Sequence, residues 1–243
     1  MDESKIILSR LTDLAEKRDR QNCCVFSKFL TPAEQQKVCG FKDAALWGGF
    51  ADAERKVAAF YPYYMEENEI FWELKAVKAV TGDGKTYSHR DYLGSLLGLG
   101  IKREVLGDIL INENTAYIIC LENMADYIAR NFTAVAHSGV KTEIADIDED
   151  ILPPKKYEEI TGSVSAPRLD SITAVAAGKS RSAAAELVNA GAVRVNFTEN
   201  TSTSYVVKEN DVLSVRGYGK FVYDGVSHIS KKGRNIIKLR KYI

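Results

Sequence analysis

Apolar residues recur at helical spacing in the N-terminal quarter of this 243-residue chain. Residues 2–20 are predicted to form an amphipathic helix, whose apolar face carries Ile6, Ile7, Leu11 and Leu14. A second helix is predicted to start at Thr31-Pro32-Ala33-Glu34, a capping box with proline at the first helical position. Residues 51–60 are predicted as a third helix. The pattern therefore predicts an N-terminal helical domain over residues 1–66.

In the middle of the chain, strand-like alternation and helical spacing take turns. The predicted elements are a strand at 70–76, a helix capped by Ser88, strands at 108–111 and 115–120, a helix carrying Met124, Tyr127 and Ile128, and a strand at 140–147. The order strand, helix, strand, strand, helix, strand is typical of a split βαβ fold. Residues 67–150 are therefore predicted to form a ferredoxin-like βαββαβ domain, as RNA-binding domains and enzymes both do.

A polar segment rich in charge and proline follows this domain. It contains Asp146, Asp148, Glu149, Asp150, Pro153-Pro154 and Lys155-Lys156. Such a composition favours a solvated and fairly stiff connection, so residues 151–164 are predicted to be a linker.

Helical spacing returns after Pro167. Apolar residues of a first helix are Leu169, Ile172, Val175 and Ala176. Gly178 is a natural stop for that helix, and Ser180 can cap a second one. Strand-like runs follow at 193–197, 205–207, 212–215 and 221–223. Residues 165–243 are therefore predicted to be two helices with a small antiparallel sheet and a basic tail, and the whole chain is predicted to be α+β.

Charge is distributed unevenly between these regions. The chain carries 33 Lys and Arg and 33 Asp and Glu, a net charge of zero. Residues 1–150 hold 18 basic and 25 acidic side chains, whereas residues 151–243 hold 15 basic and 8 acidic ones. A basic C-terminal third attached to an acidic body is typical of a protein with a nucleic-acid-binding module.

Other functional classes receive little support from the sequence. The four cysteines, Cys23, Cys24, Cys39 and Cys120, lack the paired spacing of a zinc site, and they favour a reducing, cytosolic setting. Apolar runs are shorter than a membrane span, and no signal-peptide pattern is present. We find no catalytic constellation, and we predict no metal and no cofactor.

Four motifs in the basic region carry a resemblance to a known family. They are Arg168-Leu169-Asp170, the run Ser180 to Val188 (SRSAAAELV), and the run Gly191 to Asn196 (GAVRVN) followed by Asn210 to Val215 (NDVLSV). Together they resemble the alpha-L RNA-binding domain, also called the S-four type. One departure is Phe197, where the family usually has glycine, and we expect the turn to fall later, at Thr198-Glu199-Asn200.

The start of the second helix is the main candidate site, because a helix N-terminus presents free N–H groups and partial positive charge to a phosphate. With the resemblance, the predicted RNA-binding residues are Arg168, Lys179, Ser180, Arg181, Ser182, Arg194, Asn196 and Lys220. Such domains read the shape and backbone of structured RNA more than its sequence. Asp170 is expected to be structural, either holding Arg168 or capping the first helix.

Further motifs extend the resemblance over nearly the whole chain. They are Phe26 to Pro32, Gly48 to Arg55, and His89 to Asp108 with its Gly94, Gly100 and Gly107. The chain is similar to the bacterial YlmH family, and this implies a ribosome-associated RNA-binding protein. Its implied partners are ribosomal RNA and tRNA on the large subunit, in ribosome-associated quality control or rescue. The family motif also brings His89, Arg90 and Arg103 together as a second RNA-facing patch. Off the ribosome we expect a cytoplasmic monomer.

Two alternatives to a non-catalytic RNA-binding protein stay open on the sequence alone. Arg168-Leu169-Asp170 also resembles the catalytic signature of some pseudouridine synthases, although a large catalytic domain is missing. The acidic body could instead make the protein a scaffold linked to translation or cell division. His89-Arg90-Asp91 copies part of a kinase catalytic loop, but the other kinase motifs are missing.

Overall fold

The computed structural model describes residues 3–148, 152–153 and 157–242. Two compact units form, one over residues 1–153 and one over residues 154–243. The acidic pair Glu149-Asp150 and the pair Lys155-Lys156, which belong to the charged segment predicted to connect the domains, lie outside the described residues.

The first unit contains four α-helices and eight strands among its described residues. In chain order they are α1 (Glu3–Gln21), β1 (Val25–Phe26), α2 (Pro32–Gln35), β2 (Ala44–Trp47), β3 (Val57–Phe60), β4 (Leu74–Thr81), α3 (His89–Gly98), β5 (Leu106–Asn112), β6 (Thr115–Leu121), α4 (Glu122–Asn131), β7 (Ala134–Val135) and β8 (Ser138–Ala145).

The middle sheet has the strand order β5-β6-β4-β8-β7, and all of its neighbouring strands are antiparallel. Helices α3 and α4 contribute to the core of this part, where the largest fully buried side chains include Tyr92, Leu96, Ile118, Ile128 and Phe132. This arrangement is the split βαβ order that the sequence predicts. The first strand, however, begins at Leu74 rather than at residue 70. Ile70 and Trp72 pack against apolar neighbours but do not pair with another strand. The alternation of apolar and polar residues that predicted a strand at 70–76 arises partly from this packing.

The N-terminal part is not purely helical, which corrects the prediction. Residues 57–60 form β3, the central strand of a three-stranded antiparallel sheet with the order β1-β3-β2. The predicted third helix is therefore wrong. All four residues of β3 are buried, and a continuous buried apolar run has no period that separates strand from helix.

The N-terminal part and the middle sheet belong to one compact unit. Asp108 at the start of β5 accepts hydrogen bonds from the backbone N–H groups of Glu54 (2.7 Å) and Arg55 (3.1 Å). A shared core joins Phe29 and Phe50 to Ile119 of the middle sheet.

The second unit contains two helices and six strands in its described part. They are β9 (Tyr157–Val164), α5 (Leu169–Ala177), α6 (Arg181–Asn189), β10 (Val193–Val195), β11 (Thr198–Glu199), β12 (Val212–Val215), β13 (Gly219–Ile229) and β14 (Asn235–Tyr242). The strands form one sheet with the order β11-β10-β12-β13-β14-β9. Residues of both helices enter the same core, among them Leu169, Ile172 and Val188. The α+β class is thereby confirmed.

The predicted linker is partly wrong, because its second half is strand β9. This strand pairs with β14 from Tyr157↔Tyr242 to Val164↔Asn235. The basic tail likewise forms strand β14, which pairs with an extended β13. The run at 205–207 makes only an isolated bridge, Arg168↔Val206. Polar side chains on the exposed face of an edge strand hide its pattern, and pairing with a distant strand determines where β9 lies.

The turn after β10 also differs from the prediction. Asn196 and Phe197 have φ angles of 47° and 68°, and they connect β10 and β11 between the paired residues Val195 and Thr198. The turn therefore falls at Asn196-Phe197 and not at residues 198–200. A bulky residue in the left-handed region is strained, and glycine would occupy this position without that cost.

Candidate nucleic-acid interface

The start of α6 is fixed by two local signals. Gly178 ends α5 in the left-handed conformation (φ 62°), and the Ser180 hydroxyl accepts a hydrogen bond from the Ala183 N–H at 3.3 Å. The Ser182 and Ser180 hydroxyls are 3.0 Å apart. Lys179, Ser180, Arg181 and Ser182 are all exposed. The first turn of α6 thus presents backbone N–H groups, hydroxyls and two cations to solvent, as a phosphate site requires.

Asp170 connects α5 to this helix start. Its Oδ2 accepts a hydrogen bond from Arg181 Nε at 2.8 Å, and its Oδ1 accepts one from the Ser171 N–H at 2.8 Å. The Arg168 Nε atom lies 3.6 Å from Oδ1, which is an ion pair and not a hydrogen bond. Asp170 therefore has the structural role that the sequence analysis gives it, but its main partner is Arg181.

The electrostatics of this pair follow from its burial. The Asp170 side chain is 6% exposed, whereas the Arg181 side chain is 53% exposed. Burial alone would raise the pKa of Asp170, but the hydrogen bond and the positive charge of Arg181 outweigh it, so the pKa is lowered. The guanidinium is consequently held at one edge while much of it still faces solvent.

A cleft of about 570 Å³ lies beside the start of α6. Lys179, Arg181 and Arg234 line it together with residues 161–165 of β9 and the loop that follows. Arg234 is anchored there by a 2.9 Å hydrogen bond from a terminal guanidinium nitrogen to the Ser163 carbonyl. Arg234 was not among the predicted site residues. The sequence signal that could have pointed to Arg234 is the polar turn at residues 231–234 between two apolar runs. This turn indicates the β13–β14 hairpin.

Arg194 and Lys220 lie apart from this cleft, on the other face of the sheet. The side chains of Val193 and Val195 enter the core, so Arg194 between them points outward. The strand register aligns Arg194 with Ser214 and Ser214 with Lys220, which gives one row across three strands. Lys220 Nζ lies 4.6 Å from the Phe197 ring centroid and 5.0 Å from that of Tyr242.

Asn196 is engaged within the fold. Its amide nitrogen donates to Asp211 Oδ1 at 2.7 Å, and its Oδ1 accepts from the Val212 N–H at 2.9 Å. The side chain thereby ties the β10–β11 turn to the start of β12. Fold stabilisation is its visible role, so we leave it out of the proposed interface.

In the first unit, His89 and Arg90 are the first residues of α3, after the capping residue Ser88. The surrounding protein and then the positive charge of Arg103 lower the pKa of His89, although the residue is exposed as a whole. Arg103 donates to the carbonyls of Leu106 (2.8 Å) and Gly107 (3.0 Å). Arg103 and His89 are therefore electrostatic neighbours, while Arg90 is exposed.

Arg55 is a second half-buried guanidinium, which was not among the predicted site residues. It donates to the carbonyls of Leu106 and Phe29, both at 3.0 Å. Burial, followed by the charge of Arg55, lowers the pKa of Arg103 to about 10. Two guanidinium groups are thus held close together by backbone carbonyls, an arrangement that no local sequence pattern could reveal.

The described residues carry neither a metal-binding cluster nor a membrane-spanning helix. Within ranges 3–148, 152–153 and 157–242, no group of three or more His, Cys, Asp or Glu side chains could hold a metal ion. No helix in this part of the chain is long and apolar enough to cross a bilayer.

Two family models match the chain. One, described as "Putative RNA-binding domain in YlmH", covers residues 82–149, and the other, described as the S4 domain, covers residues 168–213. The first range spans most of the middle sheet with α3 and α4, and the second begins at Arg168 and includes α5, α6 and β10.

Two individual proteins extend the comparison. The chain is 34% identical over 212 residues to "Ribosome-associated protein quality control protein P2" of Bacillus subtilis (strain 168), a match that covers 85% of this chain and 82% of that protein. A solved structure, "Cell division protein ylmH from Streptococcus pneumoniae", matches with a TM-score of 0.51 and 20% identity over 60% of this chain and 92% of that one. The latter likeness concerns the fold alone. These matches confirm the resemblance seen in the sequence, and the chain belongs to the YlmH family.

Proposed function

We propose that this protein binds structured ribosomal RNA without catalysing a reaction, and that it docks on the large ribosomal subunit carrying a tRNA, in ribosome-associated quality control or rescue. The observation that carries the proposal is the exposed first turn of α6, where Lys179 and Arg181 flank free backbone N–H groups. The name of the Bacillus subtilis relative supports the ribosomal setting.

Phosphate groups are the ligands that this surface suits best. Ammonium and guanidinium groups, hydroxyl donors and a helix N-terminus all favour an anion. One cleft is lined by Lys179, Arg181 and Arg234. A segment of the RNA sugar-phosphate backbone could therefore contact all three side chains at once. The net excess of seven positive charges over residues 151–243 adds long-range attraction to a polyanion.

The remaining predicted residues would extend the contact in other directions. Arg194 and Lys220 offer cations on the outer face of the sheet, and Arg168 lies beside Asp170 at the start of α5. In the first unit, His89, Arg90 and Arg103 would form a second patch. Contacts in several places fit recognition of a folded RNA by its shape.

The pseudouridine synthase alternative is less well supported. Its nucleophile would be Asp170, yet this carboxylate is buried and accepts hydrogen bonds from Arg181 and the Ser171 N–H. Such a group is held in place as a structural anion rather than presented to a nucleoside. We accordingly propose a binding role at the ribosome, in the cytoplasm, with a monomer as the free form.

Sedimentation with purified ribosomal subunits tests the proposal. We expect the wild-type protein to migrate with the large subunit through a sucrose gradient at low salt. Lys179→Gln/Arg234→Gln should migrate more weakly, because it loses two cations of the cleft. A matched control is Lys208→Gln/Lys231→Gln, which removes two exposed lysines of the same unit. Absence of the wild-type protein from large-subunit fractions would overturn the proposal.

A further inference from the structure

A larger cleft lies within the first unit, remote in sequence from the S4 domain. It has a volume of about 1130 Å³ and lies between α1 and the segments at residues 26–31 and 102–104. Its apolar surface comes from Ile7, Leu11, Leu14, Phe26, Phe29 and Leu30. Ile7, Leu14 and Phe26 are only half-buried, so they offer contact area to a ligand.

Cations follow the wall that α1 contributes. Arg10, Lys17 and Arg20 are exposed, and spacings of seven and three residues place them along one side of the helix. At a rise of 1.5 Å per residue this row is about 15 Å long. Lys102 and Arg103 stand on the facing wall. In the described chain, the side chains of Arg10, Lys17, Arg20 and Lys102 make no hydrogen bond or ion pair.

The acidic residues of the cleft do not balance this charge. The lining holds seven Lys and Arg residues against three carboxylates. Glu104 is paired with Lys28 and also interacts electrostatically with Lys102 and Arg10, and Glu34 accepts hydrogen bonds from the Thr31 N–H (2.6 Å) and hydroxyl (2.8 Å). Asp13 is the other carboxylate of the lining. Residues 1–150 carry 25 acidic and 18 basic side chains, so this basic cleft lies in a region whose net charge is negative. Burial, and after it the charge of Arg55, lowers the pKa of Arg103, and both residues belong to the lining of this cleft.

We infer that this cleft is a second RNA-binding site, which takes a single-stranded segment with its phosphates on the basic walls and its bases on the apolar floor. The inference rests on the proposed RNA-binding function. It assigns part of the RNA binding to the N-terminal part of the chain. A duplex would bring only its backbone, whereas unpaired bases offer flat apolar faces to the floor. The α1 wall lies outside both matched ranges, 82–149 and 168–213.

Fluorescence anisotropy with a labelled twelve-nucleotide oligouridylate tests the inference on the full-length protein. Arg10→Gln/Lys17→Gln/Arg20→Gln should weaken binding about tenfold and reduce the slope of log Kd against log salt by about 2, because three phosphate contacts are lost. Lys5→Gln/Lys42→Gln/Lys85→Gln removes the same charge from exposed positions outside the lining and should bind like the wild type. Thermal unfolding should be unchanged in both triple variants.

The same assay separates this site from the S4 surface. Lys179→Gln/Arg234→Gln should retain most of its oligouridylate binding even if it no longer binds the large ribosomal subunit. Equal losses in the cleft variant and its charge control would overturn the inference, as would loss of the oligonucleotide only in the Lys179 variant. Displacement of the oligonucleotide by polyglutamate at equal charge concentration would also overturn it and would identify the cleft as a site for acidic peptides. Failure to bind large subunits with intact oligonucleotide binding would contradict only the proposed ribosomal function.

Discussion

Arg181 donates a 2.8 Å hydrogen bond from Nε to Oδ2 of Asp170, and so connects the first residue of α6 to the second residue of α5. The buried carboxylate sets the direction of a guanidinium that remains half-exposed. Arg181 therefore has two tasks, which are to hold the helix pair together and to face the ligand. Lys179, which makes no such bond in the described chain, is the better position for testing RNA contact alone.

Replacing Asp170 with Asn should destabilise the protein by about 2 kcal/mol, because a charge-assisted hydrogen bond in a buried place is weakened. Urea denaturation of Asp170→Asn beside the wild type measures this difference. Glu186→Gln on the exposed side of α6 is a control, and it should change the free energy of unfolding by less than about 0.5 kcal/mol. Equal stability of Asp170→Asn and the wild type would contradict the structural role of Asp170.

The Asp170 difference should also depend on pH. The pKa of Asp170 is lower in the folded protein than its ordinary value of about 3.9. The carboxylate therefore stabilises the fold above that value, and this stabilisation is lost as the pH falls through the folded pKa. The stability gap between wild type and Asp170→Asn should be full at pH 7 and should shrink below about pH 4. A gap that is constant from pH 7 to pH 3 would count against the ion pair.

The left-handed backbone at Phe197 makes a separate prediction. Phe197→Gly and Phe197→Ala both remove the ring and its contact with Lys220, so they differ mainly in the cost of a φ angle of 68°. The glycine variant should be more stable than the alanine variant by about 1 kcal/mol. Thermal or chemical denaturation of the two variants gives this difference directly. An alanine variant as stable as the glycine variant would show that the turn adopts another conformation.

Gly162 in β9 should not tolerate a side chain. A Cβ atom there would lie 2.5 Å from a Val175 methyl carbon, so α5 would have to move away from the sheet. Gly162→Ala should lower the free energy of unfolding by about 1–3 kcal/mol, as overpacked sites do. Gly94→Ala in α3, where a Cβ atom meets nothing within 4 Å, is the control and should be neutral or stabilising.

His89 should titrate below its ordinary value of about 6.5. The surrounding protein, and after it the charge of Arg103, disfavours the protonated ring. At pH 7 the ring should therefore be neutral, so that Arg90 supplies the positive charge at the start of α3. An NMR titration of the ring protons measures the pKa, and a value at or above 6.5 would contradict the described neighbourhood of His89.

The sequence predicts the elements whose signals are local. Gly178 and Ser180 indicate the break between α5 and α6, and Ser88 with Asp91 indicates the start of α3. Most of the middle domain was predictable because alternation and helical spacing follow one another there, but the packing of Ile70 and Trp72 imitated a strand and shifted the predicted first one. The position of the residues at the start of α6 was predictable because Gly178 and Ser180 are local signals for the end of one helix and the start of the next.

Elements that depend on distant partners were missed. Strand β9 is defined by pairing with β14, more than seventy residues later in the chain, and its own pattern is largely polar. Residues 57–60 are buried on both faces, which removes the period. The bond between Asp170 and Arg181 and the placement of Arg55 beside Arg103 arise only when separate segments pack, so composition and spacing cannot reveal them.

The most direct test of the central claim is the salt dependence of binding to purified large ribosomal subunits, with wild type, Lys179→Gln and Lys208→Gln compared. If Lys179 contacts a phosphate, the slope of log Kd against log salt should fall by about 0.7 to 0.9 in Lys179→Gln. Lys208→Gln should keep the wild-type slope. A wild-type slope in Lys179→Gln, or no binding of the wild-type protein at low salt, would contradict the account.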